Sequence, residues 1–481
     1  MWQLDIDKNG LTCLSGISSQ NPLARRPNMD AAFRNAVAAA RREGGLFFAG
    51  LLSEDRILQA FGDARWKWQG WIYTPAVTVW TFLSQCLSPD HSCRDAVARL
   101  IAWRLSRGMR ACSAETGSYC LARGQVPEEA CSRLARETGR QVDDAAPADW
   151  LWLGRRVLAV DGSTITMPDT EENQAEYPQS SSQAPGCGFP IARIVVILSL
   201  AVGAVLDAAI GKCQGKQTGE NSLFRTLHGT LREGDVVLAD RYFSGWYDMA
   251  LLQQQGADLV IRKHQLRRTD FRIGLRLGPG DQLVCWRKPQ RPAWMSHEQY
   301  AALPNALTLR EVRIRVTQRG FRTRSLVVVT TLLDPDTYPA SQIATLYRRR
   351  WQAELDLRSL KVVLQMGHLR CKTPERVRNE FYMHLVAYNL IRGLMATAAF
   401  GAEVSPWTIS FKGTLQTINN FAPLLTSRIT TIEWCEALLD AIASHEVGNR
   451  PDRVEPRVVK RRPKQYKPMN RPRREYKRRA A

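Results

Sequence analysis

Three acids in this sequence have the types and placement to do chemistry together: Asp161, Asp240 and Glu354. Asp161 lies in RVLAVDGS, read as a strand that ends in an Asp-Gly turn, and Asp240 closes a second short strand, DVVLAD. Glu354 falls in a stretch with helical spacing. Carboxylates delivered from separate elements can converge on two hard cations ~3.5–4 Å apart, which clamp the attacking and leaving oxygens of an in-line displacement at phosphorus. Magnesium suits such a site because it takes oxygen ligands and keeps waters that a substrate phosphate can replace. Strand ends are apt positions, since the sheet holds the backbone while the side chain faces open space. Other acids compete: Asp207, Asp235, Asp248 and the cluster Asp169, Glu171 and Glu172. Asp207 is expected in mid-strand and Asp235 at a strand start, so neither has the strand-end placement.

The helix around Glu354 is an independent pointer. Tyr347, Arg350, Glu354 and Lys361 are spaced so that, at about 100° per residue, all four fall within an arc of about 60°. One narrow face then offers a carboxylate flanked by two cations and a phenol. Arg and Lys placed this way could hold phosphates on either side of a scissile bond. Arg348, Arg349 and Arg358 make the rest of the segment basic too, so i,i+4 self-pairing does not account for the pattern.

The elements that must position these residues follow from the periodicity. Residues 1–148 read as helical: Asp30-AAFRNAVAAARREGG, Pro75-AVTVWTFLSQCLS, Cys93-RDAVARLIAWRLSRG, then two short helices within 118–139 whose Gly/Pro break resembles a helix-turn-helix. From 149 to 264 strands and helices alternate: RVLAVDGS, RIVVILSL, GAVLDAAIG, a helix after Gly219, DVVLAD, a helix from Ser244, and ADLVIRKH. Residues 265–335 look all-β, with GDQLVCWR, REVRIRVTQ and RSLVVVTTLL. One long helix is expected from Pro339 through Glu354 to Leu364, and an apolar one from Pro374 to Ala399, within a unit spanning 336–400. A helical region, 401–449, and a basic tail, 450–481, complete the chain.

Composition narrows the class. The 481 residues are 44% hydrophobic, enough for a sizeable core, and no apolar run is long enough to span a membrane. The N-terminus has neither the basic nor the apolar region of a secretory signal. Eleven cysteines without a CxxC pair argue against a zinc ribbon or a disulfide framework and for reduced cytoplasmic thiols. The formal net charge of +21 calls for a polyanionic partner. Fourteen Lys/Arg against three acids (Asp452, Glu455 and Glu475) concentrate charge between Arg450 and Ala481, but the body is basic as well, which favours nucleic acid over a merely solvated tail.

The combination of VDGST at Asp161, ADRYF at Asp240 and Tyr347-x2-Arg350-x3-Glu354-x6-Lys361 resembles the YREK signature of bacterial DDE transposases of insertion sequence family four. The resemblance runs from about Arg156 to Lys361. It implies an α/β fold: a ribonuclease-H-like catalytic core interrupted by a β-rich insertion, with an all-α N-terminal domain that binds the transposon end and a helical C-terminal region. It also implies an enzyme that cuts at terminal inverted repeats and joins the 3′ ends to a target. Many relatives do so by cut-and-paste through a hairpin, in a homodimer that synapses both ends on double-stranded DNA. Asp161, Asp240 and Glu354 would bind two Mg²⁺ ions, with Mn²⁺ able to substitute. Tyr347, Arg350 and Lys361 would grip backbone phosphates, and Arg241 could reach another. In hairpin-forming relatives an aromatic residue of the insertion stacks on a flipped base, for which Trp286 and Trp294 are candidates. Such a protein works in the bacterial cytoplasm, on the nucleoid when bound to DNA. The alternatives are a related metal-dependent nuclease, which would not need the long insertion, and a silent DNA-binding descendant, which would not need the acids.

Overall fold

The computed structural model describes residues 51–68, 71–315, 325–422, 431–448, 469–473 and 475–476. The helix expected after Asp30 and most of the basic tail lie outside them.

The N-terminal helices are α1 (Glu54–Phe61), α2 (Pro75–Leu87), α3 (Cys93–Ser106), α4 (Gly117–Gly124) and α5 (Glu128–Asp144). Their starts follow local chemistry. Ser53, Thr74 and Ser92 each accept a hydrogen bond from a backbone N–H of the first turn, and Pro75 takes the position where a missing N–H costs nothing. Helices α4 and α5 meet at the break expected near Pro127, but α5 is long and buries Leu134, Ala135 and Gly139 against the rest of the protein. Gly139 is needed there: a Cβ would lie 1.9 Å from the Val205 carbonyl oxygen.

The chain then enters a sheet through β1 (Val157–Thr166), followed by the short α6 (Glu171–Glu176), β2 (Ile191–Ser199), β3 (Val205–Lys212), α7 (Glu220–Thr226), β4 (Val236–Ala239), α8 (Trp246–Gln254) and β5 (Asp258–Arg262). Strands β1, β2 and β3 pair antiparallel, whereas β1, β4 and β5 run parallel, with α7 and α8 between them in sequence. The next segment holds β6 (Leu275–Gly278), β7 (Asp281–Arg287), α9 (His297–Ala302), β8 (Ala306–Arg315) and β9 (Ser325–Thr330). It is therefore not all-β. Ser296 and Gln299 form a reciprocal cap that starts α9.

These later strands do not make a sheet of their own. β9 pairs antiparallel with β5, Val260 opposite Thr330, and the order among the described residues is β3-β2-β1-β4-β5-β9-β8-β7-β6 in one sheet of nine. Pairing β5 in this way satisfies backbone groups that an edge strand would leave open.

The expected single helix from Pro339 to Leu364 is divided into α10 (Ala340–Arg348) and α11 (Trp351–Arg358), followed by a π-turn over Ser359–Val363. At the join Arg349 N–H bonds to Leu346 and Arg350 N–H to Tyr347, three residues back rather than four. At this join the half-buried Arg349 guanidinium reaches the Leu200 carbonyl at 3.0 Å, a tertiary contact. Helix α12 (Pro374–Gly401) runs through the core, and α13 (Phe411–Phe421) and α14 (Thr431–Ala443) pack beyond it. Asn389 of α12 splices three elements: its Nδ2 donates to the carbonyls of Ala135 and Val205, and its Oδ1 accepts from Val205 N–H.

Alternation along the strands sorts side chains to two faces. Leu158, Val160, Val195 and Ile197 pack with α7 and α8, while Ala159, Ile194 and Val196 share a core with α5, α12 and the α11 region.

Candidate active site

Residues Val160 and Ala239 are partners in the parallel β1–β4 ladder, and that pair is the last of the run. Asp161 and Asp240 are the next residue on each strand, so two carboxylates stand side by side where the parallel pairing stops. Asp240 leaves its strand and caps a single turn, Arg241–Phe243. Asp161 does not sit in a turn: β1 continues to Thr166, and Asp161 pairs with Val196 of β2. The Asp-Gly pair is held extended because β2 offers a full antiparallel partner on that side.

Asp161 has the parity of Ala159, which points it at the face carrying α11. Glu354 approaches from there, and Arg350 stands between them, donating from Nη2 to the Glu354 carboxylate at 2.6 Å. Burial pushes the Asp161 carboxyl up to about 6; Arg350 and the Gly162 N–H oppose the shift, while Glu354 and Glu220 add to it. Tyr347 is buried among Val236, Leu238 and Val260, and burial drives its phenol well up, with Arg350 opposing and Asp240 contributing. Lys361 donates to Ser163 Oγ at 2.8 Å, and burial lowers its ammonium. All four residues of the helical face therefore lie over β1 and β4, although the helix is broken between Tyr347 and Glu354.

The remaining expectations fall elsewhere. Arg241 is half-buried and donates to Gln265 Oε1 at 2.6 Å. Trp286 is buried, with the Arg267 guanidinium 3.9 Å from its ring centre. Trp294 is half-buried, and Arg225 lies 3.7 Å over its ring. One face of each indole is thus already taken. Three of the competing acids are engaged structurally: Asp235 with Arg156, Asp248 with Arg225, and Asp207 with the Thr230 hydroxyl.

Sequence reading missed Glu220. Its carboxyl group lies against the bare α-carbon of Gly162 and adds to the charge felt by Asp161. The available signal was a glycine inside a strand, which often marks the close approach of another group.

Among the described residues no three His, Cys, Asp or Glu side chains are gathered closely enough to hold an ion as they stand. Glu354 is turned to Arg350. The donor set nevertheless suits a hard divalent cation: its atoms are all carboxylate oxygens, and a cation would favour the charged form that burial disfavours at Asp161.

Residues 152–390 match the model of a family described as Transposase DDE domain. The chain is also 28% identical, over 359 residues, to the transposase InsG for insertion sequence element IS4 of Escherichia coli K12, an alignment covering 72% of this chain and 76% of that one. The chain belongs to the DDE transposases of the IS4 family. Members of this family generally use divalent metal ions. The transposase shares 42% identity over 65 residues with that of insertion sequence element IS421 of Escherichia coli, 14% of this chain and 18% of the relative. Among solved structures it is similar to the piggyBac transposase in a synaptic complex with hairpin DNA, with a TM-score of 0.40 and 9% identity over 89% and 86% of the two chains. Among the described residues of this transposase no helix is long and apolar enough to cross a membrane.

Proposed function

We propose that this transposase cuts DNA at the terminal inverted repeats of its element and joins the 3′ ends to a target, with Asp161, Asp240 and Glu354 as the metal-holding acids. The observation that carries the reading is the register Val160 opposite Ala239, which sets two acids of different strands side by side under the helix that bears the third. A bound pair of Mg²⁺ ions would polarise phosphate and activate water or a 3′ hydroxyl there. Strand order supports a ribonuclease-H-like reading of the core, with three antiparallel strands, two parallel ones and the glutamate helix after a β-rich excursion.

The protein's own part is to place and hold phosphates. Arg350 is fixed between Asp161 and Glu354, so a phosphate oxygen bound to it lies at the acids. Lys361 presents an ammonium on the Ser163 side. Tyr347 contributes through its hydroxyl alone, since its ring is core. Arg241, half-buried on the turn after Asp240, can meet a backbone phosphate if it releases Gln265. Base stacking by Trp294 requires Arg225 to yield, and by Trp286 requires it to leave the core, so Trp294 is the better candidate for a hairpin step. The N-terminal helices read the transposon end, the basic tail supplies non-specific phosphate contacts, and a homodimer holds two ends for cut-and-paste on the bacterial nucleoid.

The test is a cleavage assay on a plasmid carrying the gene's native flanking DNA, run with Mg²⁺, with EDTA and with Glu354→Gln. Metal-dependent breaks at inverted repeats that vanish in the variant, with DNA binding retained, are the expected result. Scattered breaks would point to a nuclease, and an unchanged Glu354→Gln would sink the assignment of the third acid.

A further inference from the structure

We propose that Glu220 is a fourth carboxylate of the metal centre, serving the cation held by Asp161 from the opposite face of β1. This rests on the metal-binding reading of Asp161 given above.

Glu220 opens α7 just after β3, and its side chain reaches the middle of β1. A Cβ built on Gly162 would lie 2.5 Å from the Glu220 carboxyl carbon and 2.6 Å from Oε1. No side chain other than hydrogen leaves room for the carboxylate at this point. Gly162 does not have a positive φ, so the backbone itself makes no demand for glycine. What the glycine supplies is a gap in the strand beside Asp161, and Glu220 fills it.

The neighbouring residue fixes this arrangement. Asn221 Nδ2 donates to the Tyr242 carbonyl at 2.8 Å, tying the start of α7 to the turn that carries Asp240. Glu220 is thus pinned to both acid-bearing strands. It is half-buried, yet among the described residues it has no Lys, Arg or His within ion-pair distance, unlike Asp235, Asp248 and Asp281. An acid at the first turn of a short helix is modestly favoured by the helix dipole. That gain is equally available with the side chain in solvent and does not require contact with Gly162. Glu220 adds negative charge beside Asp161, and a shared divalent cation converts that repulsion to attraction.

The experiment measures Mn²⁺ binding to the full-length protein by calorimetry, together with strand cleavage across a Mn²⁺ titration. It compares the parent with Glu220→Gln, Gly162→Ala and Asp161→Asn. Glu220→Gln removes the charge at nearly constant shape, while Gly162→Ala displaces the carboxylate without removing it. Both are expected to weaken Mn²⁺ binding by about 10-fold or more and to move half-maximal cleavage to higher Mn²⁺. Melting in EDTA, expected unchanged for Glu220→Gln, separates this from misfolding. Parent-like Mn²⁺ affinity in Glu220→Gln, with affinity lost in Asp161→Asn, would overturn the role of Glu220 and leave the three-acid reading standing. Parent-like affinity in Asp161→Asn would overturn both.

Discussion

Two regions of the one sheet treat their charges in opposite ways. Around β7 and β8 every buried charge has a partner: Arg310 is fully buried, makes a two-pronged contact with Asp281 and donates to the Tyr338 carbonyl, and Lys263 is bonded to Glu311 and the Arg268 carbonyl. Where the β1–β4 pairing stops, Asp161 meets Glu354 and Glu220 with Arg350 beside them, and Asp240 is the next residue on the neighbouring strand. The first region is electrostatically closed and the second is left open. Closed networks hold a fold in one arrangement, whereas an open one keeps free energy available for whatever binds there.

The largest expected effect comes from Asp240→Asn. It should lower strand cleavage on the order of 10³-fold, since an electrostatic contact to the reacting centre is removed. Unfolding by denaturant should show no loss of stability, because the Asp240 side chain makes no capping hydrogen bond to the turn it opens. A large fall in stability would mean that Asp240 belongs with the closed region instead. Asp281→Ala tests the converse. Stranding the Arg310 guanidinium in the core should cost about 3–5 kcal/mol, read as a lower denaturant midpoint, while cleavage per folded molecule stays near that of the parent.

Lys361→Ala lies between these extremes. Loss of one phosphate contact should weaken binding to all DNA sequences alike and reduce the slope of log K against log salt by about 1. A change confined to the transposon end would assign Lys361 to sequence reading. The smallest effect is acid sensitivity of the scaffold. Burial, and for His91 the stacked His384, hold His91 down at about 4; burial and then Arg225 do the same to His228. Unfolded histidines take up protons near pH 6.5, whereas these do so only near pH 4. The unfolded chain therefore binds more protons in that window, and stability should fall as pH drops from 6.5 to 4. Denaturant midpoints for the parent and His228→Gln should converge as pH falls; parallel lines would show that His228 is not involved.

Much of this arrangement was legible because it is local. The strand-end placement of Asp240, the order of strands and helices, and the break before α5 are all written in short windows of sequence. Asp240 lies where DVVLAD places it, and α12 runs from Pro374 as its apolar pattern suggests. What was missed depends on distant partners. Asp161-Gly162 looks like a turn because nothing nearby reveals that Val195 and Val196 will pair with it. The division between α10 and α11 occurs in a run of good helix formers, at the join where Arg349 reaches the Leu200 carbonyl. Glu220 meets Gly162 across an intervening hairpin, so neither residue announces the other. The S-x-x-Q start of α9 was a local signal that could have been read.

The junction of β5 with β9 has a mechanical consequence. Because Val260 and Ile261 are laddered to Thr330 and Val329, and β9 onward to β8 and β7, the strands form one beam. Four interstrand steps of about 4.8 Å separate β4 from β7, or roughly 19 Å. β7 cannot swing relative to the Asp240 end of the beam without breaking ladder bonds. Any group resting on β7 is consequently held at a set distance from Asp240, so the sheet acts as a ruler.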